Sequence, residues 1–177
     1  MDHGVKVMLA ALQAALAPIA LLLAGCLPDD TRPVPGRALV TATADPSLET
    51  AIITADGWEI VFTDVWLSIG ELRLEGDDCV QYAESDYLRL LDMKVTGPQA
   101  VATLHALGAC ELGFQIRSPH GDVVRGEGVG DEVEAFMRTP GSDAFVEDAG
   151  IVLHASGSAA KAAATLRFAW SFRQRFD

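Results

Sequence analysis

The order of apolar and polar positions divides the chain into two unlike parts. From Val5 to Ala24 it is apolar except for Lys6, Gln13 and Pro18. Beyond Gly36 it breaks into short runs of period two, the pattern of strands whose two faces meet different surroundings. RALVTATA (Arg37 to Ala44) alternates weakly. In GWEIVFTDVWLSIGELRLEG (Gly57 to Gly76), Trp58, Ile60 and Phe62 share one parity. Past Asp64 the large residues change parity to Val65, Leu67 and Ile69, and past Gly70 they change again to Leu72 and Leu74. A regular strand with one buried face cannot do this. The expectation is a long bent strand, or two consecutive ones, with bulges near Asp64 and Gly70 or with both faces buried.

Further strands are expected over YLRLLDMKV (Tyr87 to Val95), ELGFQIRS (Glu111 to Ser118), IVLHAS (Ile151 to Ser156) and TLRFAWSFRQRF (Thr165 to Phe176). In the last, Leu166, Phe168, Trp170 and Phe172 alternate with Arg167, Ala169, Ser171 and Arg173, which reads as a half-buried strand with a wet basic face. GSAAKAAA between these last two runs is read as a hairpin loop. Gln99 to Leu107 fits strand or helix. VVRGEGVG (Val123 to Gly130) is too rich in glycine for a stable helix. One helix is expected at DEVEAFMR (Asp131 to Arg138), with Asp131 as cap and Glu134 completing a capping box. Short strands, frequent turns and a single helix point to a mainly β fold, an antiparallel β-sandwich of immunoglobulin-like or related type. A small transmembrane barrel would need at least about eight strands, each apolar on its outer side, for which this chain runs short.

The apolar start ends in Leu23-Ala24-Gly25-Cys26, which resembles the lipobox of bacterial lipoproteins at all four positions. The resemblance implies a diacylglycerol on the Cys26 thiol, cleavage before Cys26 and acylation of the new amino terminus. Residues 1–25 are then a signal peptide, 26–36 a lipidated cysteine with a proline-rich tether, and 37–177 a single β-sandwich domain. The tether LPDDTRPVPG holds Pro28, Pro33 and Pro35 and no periodic pattern. The implied location is the envelope of a Gram-negative-type bacterium. Leu27, in place of an Asp retention signal, favours the outer membrane. The implied membrane partner is reached through the acyl chains.

Charge narrows the other partners. Twenty-five acidic against thirteen basic residues leave a net charge of −12, which argues against nucleic acid as a partner and against adhesion to anionic lipid through a basic patch. With Cys26 lipidated, Cys79 and Cys110 remain as an even pair, expected to form a disulfide in an oxidising compartment, with two separate buried thiols as the alternative.

Catalytic motifs are lacking. Ser156-Gly157-Ser158 has no flanking glycines of a nucleophile elbow, and GEGVG (Gly126 to Gly130) has no following Lys. The acidic clusters Asp77-Asp78, Glu84/Asp86 and Glu147-Asp148 lack the alternating oxygen ligands of a calcium loop. His105, His120 and His154 sit in separate segments and are weak candidates for a copper or zinc site. Trp58, Trp66 and Trp170 are read as core residues. No cofactor is expected, and the chain is read as a non-enzyme. The stretches DGWEIVFTDVWLSIGELRL, DYLRLLDM and LHALGACELGFQIRSP are loosely similar in strand order to exported β-sandwich lipoproteins, some of unknown role and some copper-binding, of the methanobactin-associated periplasmic type. That similarity implies architecture and no site residues. The expected role is a non-catalytic binding or interaction module with a possible envelope protein partner. The alternative is a periplasmic protein that binds copper, zinc or a small ligand.

Overall fold

A computed structural model of the protein describes residues 33–83, 85–138 and 150–173. The expected signal peptide, Cys26 and most of the expected tether lie outside the described residues. Val34–Asp177 forms one compact unit. Its elements are β1 (Gly36–Ala42), a 3-10 turn (Pro46–Leu48), β2 (Ile52–Ile53), β3 (Glu59–Glu75), β4 (Val80–Ala83), β5 (Ser85–Asp92), β6 (Gln99–Leu107), β7 (Glu111–Ile116), β8 (Val123–Arg125), α1 (Asp131–Met137), β9 (Leu153–Lys161) and β10 (Ala164–Phe172). The segment Gln99 to Leu107, open between strand and helix in sequence, is a strand.

Two sheets pack together. The smaller runs β1-β6-β4 and the larger β10-β9-β3-β5-β8, with β2 and β7 also paired to β3. Pairing is antiparallel except between β5 and β8. The seventeen residues of β3 make it the spine of the larger sheet. Both expected bulges occur there: the register shifts between Phe62 and Asp64 against β9, and between Gly70 and Leu72 against β5. At the second, Glu71 takes φ 47°, a left-handed conformation that costs a residue with a Cβ about 1–2 kcal/mol. The bulge is what returns Leu72 and Leu74 to the side of Ile69.

Hydrophobic burial fills two layers, one on each face of the larger sheet. Between the sheets lie Leu72, Leu91, Val101, Ala102 and Leu104, flanked by Val40 and Ile69. On the opposite face Leu90, Ile151 and Trp66 pack under Val133 and Met137 of α1. Adjacent Leu90 and Leu91 are both fully buried because β5 is covered on both sides. That is why its sequence reads as a run and does not alternate.

The disulfide Cys79–Cys110 forms, with a Cα–Cα distance of 5.0 Å. Cys79 precedes β4 and Cys110 precedes β7, so the bond joins two places where the chain crosses from one sheet to the other. The corner is tight. Gly76 and Gly108 have φ 146° and 87°, and a Cβ on Gly108 would collide with the backbone of Asp78.

Two local expectations change. The N-cap of α1 is Gly130, without a side-chain cap. Asp131 is instead the first helical residue and pairs with Arg125, while Glu134 pairs with Arg138 at 2.8 Å. These acids sit in the first turn, where the helix dipole favours them. The small-residue run after Ser156 is mostly strand: β9 continues to Lys161, and the turn is only Ala162-Ala163. Small side chains suit this strand because a bulky neighbour lies across it.

Candidate functional site: an exposed aromatic edge strand

That neighbour is Phe168. Cross-strand partners share a face, and the register sets Ala155, Gly157 and Ala159 of β9 opposite Trp170, Phe168 and Leu166 of β10. A Cβ on Gly157 would lie 2.9 Å from the Phe168 ring, which takes that space and meets Phe62 edge-on at 5.7 Å. Trp170 stacks on Phe168 with centroids 4.4 Å apart. The result is an aromatic ladder, Phe62–Phe168–Trp170, held from below by backbone.

Its outer side is open. Leu166, Trp170 and Phe172 are 57%, 49% and 48% exposed. The expectation that Trp170 belongs to the core is therefore corrected, and β10 is wet on its apolar face as well as on its basic one. The small sheet's contacts with the larger one run through β3 and β5, and none of its residues packs on β10 in that core. Strand alternation showed which residues are apolar. It could not show that the second layer stops short of them.

The opposite face of the same strands is closed by α1. There His154, 7% exposed, stacks on Trp66 at 5.1 Å, meets Phe136 edge-on at 4.9 Å and hydrogen-bonds Ser171 Oγ through Nδ1 at 2.9 Å. Ser156 donates to Asp64 at 2.6 Å beside it. Burial lowers the His154 pKa from its ordinary 6.5, and the Asp64 carboxylate partly opposes this. Because the folded-state pKa is depressed, His154 contributes stability that is present above the unfolded value and lost as pH falls through the folded one. The thermal midpoint is thus expected to drop between pH 7 and 5. His154→Gln should flatten that part of the profile, as followed by circular dichroism. An identical slope in the variant would assign the drop to other groups.

The other candidates stand apart. His105 lies on β6, opposite Arg37 of β1. His120 follows β7, with Nδ1 3.1 Å from Ser118 O and Nε2 3.8 Å from Glu71 Oε1. Glu71 also pairs with Arg117. This carboxylate was missed in the sequence, although the parity change after Gly70 marks the bulge that presents it. Among the described residues, no three His, Cys, Asp or Glu gather as a metal-holding group. Ser156-Gly157-Ser158 lies inside β9, with Ser156 bonded to Asp64 and Gly157 under the ladder. No helix of the described residues is long and apolar enough to cross a membrane. No family model, curated protein or solved structure matches the chain.

Proposed function

We propose that the chain is a lipid-anchored cell-envelope lipoprotein whose β-sandwich is a non-catalytic binding module, with the apolar face of β10 as its contact surface. The observation that carries the contact surface is the exposure of Leu166, Trp170 and Phe172 together on one strand, over a ladder that holds them in place. Contiguous exposed apolar patches on folded domains commonly mark interaction sites. The anchor rests on the Leu23-Ala24-Gly25-Cys26 pattern at the end of an apolar run. Two or three acyl chains at about 0.8 kcal/mol per buried methylene hold a protein on a membrane where one does not. Leu27 after the cysteine favours the outer membrane. The proline-rich segment before β1 would carry the sandwich clear of the lipid surface. A metal-binding role has no clustered ligand set among the described residues to support it.

One pair of cellular readouts tests both halves. Cys26→Ala should abolish acyl labelling and globomycin-sensitive processing; labelling that persists would remove the anchor. A photo-crosslinking residue placed at Leu166 should capture envelope proteins that the same residue at Glu132, on the helix covering the other face, does not. Identical capture from both positions would remove β10 as the contact surface.

A further inference from the structure

Among the described residues six strands have a flank with no partner strand: β1 and β4 in the smaller sheet, and β10, β8, β2 and β7 in the larger. An open strand edge offers a row of N–H and C=O groups on which another chain can pair, and natural sheets blunt such edges. Five of the six are blunted here: β2 has only two residues, and β7 carries Glu111 and shifts register against β3 between Gly70 and Arg73. β8 has only three residues. β4 has four and shifts register between Gln81 and Ala83. β1 shifts between Val40 and Thr41 and follows Pro33 and Pro35. The sixth is not blunted. The nine residues of β10 pair with β9 in unbroken register and include no proline, lysine or acid.

We infer that the free edge of β10 accepts an added strand, an extended segment of a partner protein in which apolar side chains alternate with carboxylates. This rests on the reading of β10 as the contact surface and specifies how the contact is made. Main-chain hydrogen bonds along the edge would supply affinity, and the alternate side chains specificity. On one face the incoming strand meets Leu166, Trp170 and Phe172; on the other it meets Arg167, which is exposed and has no ion-pair partner among the described residues.

Charge decides the occupant. The chain holds 25 acidic and 13 basic residues, yet residues 164–173 hold Arg167 and Arg173 and no acid. Two copies joined edge to edge about a twofold axis would bring both copies of Arg167 to one sheet face with no carboxylate on either strand. Like charges across a pair are destabilising. A lipid tail is no better an occupant, because hydrocarbon leaves every open N–H and C=O unsatisfied. An acidic, alternating segment answers both the backbone and Arg167.

The test uses the full chain in detergent and labelled peptides of the nine-residue length of β10, read by fluorescence anisotropy. One alternates Val with Glu, one alternates Val with Lys, and a third is the Val/Glu peptide with alternate amides N-methylated. The Val/Glu peptide is expected to bind saturably, about tenfold or more tighter than the Val/Lys peptide, and Arg167→Glu should reverse that order. N-methylation should abolish binding. Equal affinity for the two charged peptides, or undiminished binding of the methylated one, would overturn the inference. So would concentration-dependent self-association that Trp170→Lys abolishes, since a second copy would then be the occupant. If no peptide binds while the Leu166 crosslinks persist, strand addition is wrong and the contact surface stands; loss of both removes the surface itself.

Discussion

Without the Cys79–Cys110 bond, the domain is expected to lose about 3–4 kcal/mol of unfolding free energy. The bond closes a loop of 31 residues, and on the chain-entropy model its main effect is to shrink the unfolded ensemble. Its position adds a second reason. The bond joins the crossing from β3 to β4 with the crossing from β6 to β7, so both passages between the sheets are tied at one corner. The corner was built around the bond: Cys79 N–H donates to Gly76 O at 3.1 Å, and Gly76 and Gly108 leave no space for side chains there. The Cys79→Ser, Cys110→Ser variant, or the reduced protein, should therefore unfold at a denaturant concentration well below the oxidised protein. A domain of this size shifts by roughly 2–4 °C per kcal/mol, so the thermal midpoint should fall by about 10 °C. A loss under about 1 kcal/mol would mean that packing alone sets the geometry of the two crossings.

Gly157→Ala is the second large effect, expected to cost about 2–3 kcal/mol for a single added methyl. The position has no unusual φ, so the cost is steric. The new Cβ would strike the backbone oxygen of Val61 and approach the Phe168 ring to 2.9 Å and the Phe62 Cα to 3.0 Å. Backbone in the middle of a sheet cannot step aside as a surface side chain can, and this carbonyl sits just before the β3 bulge. Phe168 must then lift off β9, and Trp170, stacked on it, must move too. Loss of stability should therefore come with a changed tryptophan emission spectrum. Gly36→Ala is the control: its added Cβ would meet only Ala106 O, at an ordinary 3.5 Å, and should change stability by no more than about 0.5 kcal/mol. If Gly157→Ala behaves like the control, the close seating of Phe168 is not what holds the ladder.

The features legible in the sequence were those that leave a trace in side-chain parity. Both β3 bulges could be placed because Val65 and Leu72 each break the alternation before them. The disulfide could be read from an even count of cysteines once Cys26 was assigned to lipid. What the sequence hid was the extent of each layer. Leu90-Leu91 and Phe168-Ala169-Trp170 are both apolar runs, but the first is fully buried and the second carries a half-exposed Trp170. The difference lies in how far β1 and β6 reach across the larger sheet, a property of neither strand alone. The missing side-chain cap on α1 is another such case. Asp131 has the chemistry of a cap, but Arg125 on β8 draws its carboxylate into an ion pair. His154 likewise became a buried, aromatic-stacked residue only because α1 closes over β9.

The length of β3 imposes an order of events on a chain made from its N-terminus. Asp64 waits for Ser156, 92 residues later in the chain. Until residues 153–161 arrive, a strand that will form the middle of a sheet has one flank open along Glu59 to Leu67. Contacts this remote are slow to close, because loop entropy must be overcome before they form. The newborn chain therefore keeps this flank of an apolar strand uncovered until the hairpin of β9 and β10 follows. In this molecule a hairpin far downstream is the piece that completes the first long strand.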